Sequence, residues 1–130
     1  MISFYLNMSS GVPPYMQIIK QVKQGLALGT LKHGEQLPTV KAVVGEIAVN
    51  PNTVLKAYKQ LEVMGIVQLR PGVGTFILAD QSEVSPDVYV TIKGELQKWF
   101  DKARKSGLDT ETIESLFQEC LRREGEAAIA

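Results

Sequence analysis

Asn50-Pro51 is the feature that most limits what this chain can fold into. Stretches of helical apolar spacing lie on both sides of it, yet proline disfavours the helical conformation at the residue before it, so one helix cannot run through. On the N-terminal side Val40, Val43, Val44 and Ile47 recur at three-and-four spacing behind Pro38-Thr39, with Thr39 placed as an N-cap. On the C-terminal side Pro51 suits the first position of a new helix and Asn50 its cap. Val54, Ala57, Tyr58, Leu61 and Met64 form the stripe that this second helix must bury. Its opposite face starts with Asn52, Thr53 and Lys56 and continues with Lys59 and Gln60. Gly65 is placed to end it in the left-handed conformation. Residues 67–70 and 75–78 then read as strands joined by Pro71-Gly72-Val73-Gly74.

Two short helices across a tight turn, followed at once by a hairpin, is the order of a winged helix-turn-helix. Without the hairpin, a helical pair with a solvated polar face fits equally well; the hairpin tips the balance. A second helix that begins with Asn and Thr suits the major groove, where those side chains meet base edges. The expected nucleic-acid contacts are Thr39, Lys41, Asn50, Asn52, Thr53, Lys56 and Lys59, together with Arg70, Gly72 and Gly74 on the wing. Of these, Lys41, Lys56 and Lys59 are expected to hold phosphates and Arg70 to enter the minor groove or hold a phosphate. The glycines let the wing backbone come close. A glycine-rich nucleotide cradle is disfavoured, because no strand precedes Pro71 and no helix follows it in the required order.

These residues carry a resemblance. Residues 29–77 resemble the DNA-binding domain of the GntR family of bacterial transcription regulators. The matching pieces are Gly29-Thr30-Leu31-Lys32-His33-Gly34-Glu35-Gln36-Leu37-Pro38, Val49-Asn50-Pro51-Asn52-Thr53-Val54, Tyr58 to Leu61, and Gly72-Val73-Gly74-Thr75-Phe76. The Asn-Pro-Asn-Thr-Val version with a short C-terminal segment is similar to the YtrA-like subgroup. There are two departures. The family carries Ser-x-Arg after Leu-Pro where this chain has Thr39-Val40-Lys41, and a lysine lacks the bidentate fork of arginine. The family also favours glycine where Ala48 stands; if the turn needs positive φ there, alanine is strained.

Charge divides the chain. Net charge is zero over 130 residues, but residues 1–80 hold seven basic and four acidic side chains, net +3, and residues 81–130 seven and ten, net −3. That split fits a DNA-facing module, residues 1–80, joined to an acidic one, residues 81–130. So small an excess makes binding salt-sensitive and calls for two copies. The single Cys120 excludes an internal disulfide. Nothing at the N-terminus reads as a signal peptide and no apolar run is long enough to cross a bilayer, so the expectation is a cytoplasmic protein with no membrane partner.

Ahead of the turn, residues 2–6 are strand-like and either join the wing or pack on the first helix. Pro13-Pro14 opens that helix, Tyr15, Ile18, Ile19, Val22 and Leu26 form its stripe, and Gly29 closes it; residues 31–36 read as a loop. His33 has no metal-ligand cluster around it and reads as a solvated loop residue. After the wing, residues 79–87 are a polar break. Ser85-Pro86 opens a helix, preferred over a strand for the β-branched run 88–92 because the periodicity continues beyond it. Ser106-Gly107 ends that helix, Asp109 caps the next with Leu108 stapled to Ile113, Arg122 and Arg123 lie in its last turns, and residues 125–130 fray. Cys120 reads as a small buried hydrophobe on its stripe. A lone helical hairpin cannot cover Leu96, Trp99, Phe100, Ile113, Leu116, Phe117 and Leu121. They bury against the winged part or against a second copy; the subgroup resemblance implies the second, with Trp99 and Phe100 as anchors.

The fold class expected is mostly α with a small β-hairpin: a winged helix-turn-helix followed by a C-terminal two-helix dimerisation hairpin. The function expected is sequence-specific regulation of transcription by a homodimer, as a repressor, on a palindromic double-stranded DNA operator with half-sites roughly 10 bp apart. The alternative is a winged-helix protein–protein interaction module without direct DNA binding. No catalytic constellation, metal spacing or cofactor motif is present in the sequence, so no enzyme and no cofactor is expected. A small-molecule effector is left open, and the resemblance implies control of a neighbouring transporter operon.

Overall fold

The computed structural model describes residues 1–80 and 85–129. The chain divides into two compact units, Met1–Tyr89 and Val90–Ala130. The expected boundary after Asp80 adjoins residues 81–84, which lie outside the described residues.

The first unit contains α1 (Pro14–Leu28), α2 (Val40–Ile47), α3 (Pro51–Val63), β1 (Val67–Arg70) and β2 (Gly74–Ile77). Each helix starts and stops on its local signals. Pro14 sits in the first turn of α1 and Gly29 closes it at φ 77°. Thr39 Oγ1 accepts the Ala42 N–H at 3.1 Å and caps α2. Asn50 Oδ1 accepts the Asn52 N–H at 2.8 Å and caps α3. Past α3, Gly65 has φ 76°; its N–H bonds the Glu62 carbonyl and the Ile66 N–H the Leu61 carbonyl, both carried back into the last turn. Ile18, Val22, Val43, Val54, Leu61, Val67 and Ile77 are fully buried in one core, which Phe4, Leu31 and Leu37 complete. α3 packs on both α1 and α2. Met64, expected on the buried stripe of α3, is instead 47% exposed, because the chain turns away at Gly65 before that position reaches the core.

Residues 2–6 form no strand. They lie along α1, where two glutamines take the place of a strand edge. Gln21 Nε2 donates to the Tyr5 carbonyl and its Oε1 accepts the Tyr5 N–H; Gln17 does the same for Asn7. One helical turn between the two amides rises about 6 Å, close to the two-residue step of an extended chain. Residues 34–36, expected as loop, do the reverse and with Leu37 extend the hairpin. β1 and β2 pair antiparallel with Val67 opposite Ile77 and Arg70 opposite Gly74, and Gln36 bridges Phe76 on the other edge of β2. The Leu37 N–H reaches Thr75 O and the Ile77 N–H reaches Glu35 O, each at 2.8 Å. His33, exposed as expected, has its Nδ1 2.8 Å from Leu78 O.

The second unit takes up most of α4 (Pro86–Lys105) and all of α5 (Thr110–Ile129). The β-branched run 88–92 is helical, and Ser85 Oγ accepts the Val88 N–H at 3.3 Å. Gly107, φ 95°, closes α4, and Asp109 Oδ1 caps α5 through the Thr112 N–H at 2.8 Å. The Thr112 side chain, and then that backbone hydrogen bond, lower the Asp109 carboxyl from its ordinary value. Trp99, Phe100 and Phe117 form a ring cluster with centroids 5.2–6.4 Å apart. Three expectations change here. Cys120 is exposed on α5 rather than buried. α5 does not fray at Gly125; the Glu126-Ala127-Ala128 segment favours helix strongly enough to carry it to Ile129. Arg122 and Arg123 therefore sit within the helix rather than in its last turn, and Arg123 pairs with Glu119 at 3.2 Å.

Candidate nucleic-acid interface

The N-terminus of α3 is built to be presented. Capping turns the Asn50 oxygen inward and leaves its NH2 for an outside partner. Asn52 is exposed in the first turn and Thr53 half-buried beside it. The helix is held from behind by Tyr58, whose hydroxyl donates to the Pro38 carbonyl at 2.6 Å, two residues before α2 begins. Burial pushes the Tyr58 phenol far above its ordinary value, so the hydroxyl keeps the proton that it donates. The bond ties α3 to the segment ahead of α2.

The lysines are not equivalent. Lys59 and Lys41 are exposed with extended reach. Lys56 Nζ stands 3.9 Å from the centre of the Tyr15 ring on α1, a cation–π contact across the two helices. Thr39, like Asn50, is a cap first; its oxygen is occupied by Ala42.

On the wing, residues that face each other across an antiparallel pair share a face. Gln68, Arg70, Gly74 and Phe76 therefore point away from the core that takes Val67, Thr75 and Ile77. Arg70 lies with its guanidinium carbon 4.6 Å over the Phe76 ring and its Nε donates to Gln68 at 3.4 Å. It sits at the last position of β1, where the turn begins. The two glycines separate. Gly72, φ 74° with open space around it, makes the turn in which the Val73 N–H bonds Arg70 O. Gly74 has φ 148°, which L side chains rarely adopt, and a Cβ there would also displace the Gln36 amide, whose Nε2 would lie 2.3 Å away.

Three features of this face were outside the sequence reading. Glu62, the penultimate residue of α3, accepts the Leu69 N–H at 2.9 Å and ties the wing to the helix. Tyr15 meets Lys56 through its ring. Leu55 is exposed on α3; its signal was an apolar residue off the Val54–Ala57–Tyr58–Leu61 stripe. On the second unit, Leu96, Leu116 and Leu121 are exposed, Trp99, Phe100 and Phe117 are half-buried, and Ile113 is buried within the single chain.

A model of the family described as "Bacterial regulatory proteins, gntR family" matches residues 14–77. The chain is 36% identical over 111 residues to the HTH-type transcriptional repressor YtrA of Bacillus subtilis (strain 168), with 85% of each chain covered. Among solved structures it is similar to a transcriptional antiterminator from Listeria monocytogenes EGD-e, with TM-score 0.58, 31% identity, and 91% of this chain and 89% of that one covered. It also shares the fold of AraR(DBD), solved in complex with operator ORX1, with TM-score 0.52, 22% identity, and 56% and 93% covered.

Proposed function

The chain belongs to the gntR family of bacterial regulatory proteins, DNA-binding transcription regulators and not enzymes, on its YtrA-like branch, and from that premise we propose that it is a homodimeric repressor of a palindromic operator. Residues 1–80 read the DNA and residues 81–130 join the two copies. The observation that carries the reading is α3: a capped, exposed helix start with Asn52 foremost, backed by a buried Tyr58 that fixes its angle. Asn52 pairs with adenine in the major groove, Lys41, Lys56 and Lys59 meet phosphates, and Arg70 leaves Phe76 for the minor groove.

Support for the dimer comes from the hairpin. Leu96 and Leu116 are each 37% exposed and Leu121 52%, beside three half-buried aromatic rings, an apolar face that a second copy would cover. Two heads joined there bind half-sites about one helical turn apart. The interaction module without DNA contact, which the zero net charge left open, is set aside by the family.

The test is a gel shift of the full-length chain on fragments of its source genome at low and moderate salt, beside sedimentation of the free protein. The expected result is a dimer and a salt-sensitive shift of fragments that share a symmetric site. A monomer with no preference among fragments refutes it.

A further inference from the structure

Leu55 sits on the outward side of α3 between Asn52, one turn before, and Lys59, one turn after, and is 52% exposed. Across from it, Leu69 on β1 is 56% exposed. Both line a cleft of about 370 Å3 between α3 and the hairpin, with Val40 and the Tyr58 ring as further apolar wall. The two charged groups of the cleft are Lys59 and Glu62, and the Glu62 carboxylate is already engaged by the Leu69 N–H. An apolar surface of this kind, set among the polar groups of a helix placed to enter the major groove, suits an apolar feature on the DNA.

Resting on the DNA-reading function above, we propose that Leu55 is a specificity-determining residue that reads the C5 methyl group of a thymine. That methyl is the one bulky apolar group the four base pairs present in the major groove; apart from small C–H edges such as cytosine C5–H, the groups there are donors or acceptors. Over any other base, Leu55 covers polar edges without bonding them; over thymine it buries a methyl. α3 rises about 1.5 Å per residue, so Leu55 lies about 4.5 Å beyond Asn52, a little more than one base step. The thymine therefore falls within two base pairs of the adenine read by Asn52. Lys59, a turn further on, meets the phosphate flanking it.

The full-length protein is used to select duplexes from a random-sequence library. In the selected duplex each thymine is then replaced singly by deoxyuridine, which removes the methyl and keeps every hydrogen-bonding group. At one position per half-site the replacement is expected to weaken binding about four-fold, and about sixteen-fold when made in both half-sites. Leu55→Ala is expected to bind thymine and deoxyuridine duplexes alike, and Leu55→Met to keep the discrimination. Because Leu55 is exposed, an unchanged melting midpoint serves as the check that Leu55→Ala is folded. Equal binding of every deoxyuridine duplex by the wild-type chain overturns the inference, as does full discrimination by Leu55→Ala. A selection that enriches no duplex overturns the DNA-reading function itself, a separate failure.

Discussion

Ala48 closes α2 with φ 53° and ψ 47°, and among the described residues it alone takes positive φ without being glycine. Its N–H bonds the Val44 carbonyl at 3.0 Å, so the left-handed turn is required by the helix end and by the approach to Asn50-Pro51. The side chain is exposed and contributes little packing. Ala48→Gly should therefore stabilise the winged unit. The left-handed conformation costs an L-residue roughly 1–2 kcal/mol, and the freer unfolded chain of glycine gives back roughly 0.4–1, leaving about 0.5–1 kcal/mol in favour of the variant. For a unit of this size, about 4–8 °C per kcal/mol, the melting midpoint should rise by about 2–8 °C. The assay is thermal unfolding of the full chain followed by helical circular dichroism at one fixed protein concentration, since a dimer's midpoint moves with concentration. Gly45→Ala, inside α2 with open space around it, is the companion: it should stabilise by about 0.5–1 kcal/mol through helix propensity. Ala48→Val should destabilise, because a β-branched residue tolerates positive φ worse. If Ala48→Gly leaves the midpoint unchanged or lowers it while Gly45→Ala raises it, the strain at position 48 is not there.

Tyr58→Phe leaves the Pro38 carbonyl without its donor and should cost about 1–3 kcal/mol in urea unfolding. Because the folded Tyr58 phenol is raised, the folded state holds its proton where the unfolded state loses it; stability should fall as pH climbs above about 10, and Tyr58→Phe should flatten that fall. Asp109 is the opposite case. Its folded carboxyl is lowered, so its contribution is present above the unfolded value and lost as pH drops through the folded one; in acid titrations followed by Trp99 fluorescence, Asp109→Asn should remove that dependence. Cys120, exposed on α5, should react with a thiol reagent more slowly as protein concentration rises and copies pair; a rate independent of concentration would count against the hairpin as the interface. On DNA, Lys56→Ala should weaken all sequences alike and Asn52→Ala should relax specificity; equal loss on matched and scrambled sites removes Asn52 from base reading.

The ends of the helices, that of α5 beyond Gly125 excepted, were legible in the sequence because they are settled within one turn. Thr39, Asn50-Pro51, Gly65 and Asp109 bond to groups two to four residues away, and nothing elsewhere in the chain changes that chemistry. The apolar stripes of α1, α2 and α3 were legible for the same local reason, and with the hairpin they determined the winged fold and the exposed face of α3. What only tertiary structure decided is pairing across long separations. Residues 2–6 have strand-like composition, but they and Asn7 meet two glutamines 10 to 16 residues on, while residues 34–36 look like loop and complete the hairpin some forty residues later. Lys56 finds Tyr15, Gly74 makes room for Gln36, and Met64 and Cys120 stay exposed at the ends of patterns that said buried. Periodicity says which face of an element is apolar; whether another element arrives to cover it, or to accept a hydrogen bond from it, depends on where the rest of the chain has gone.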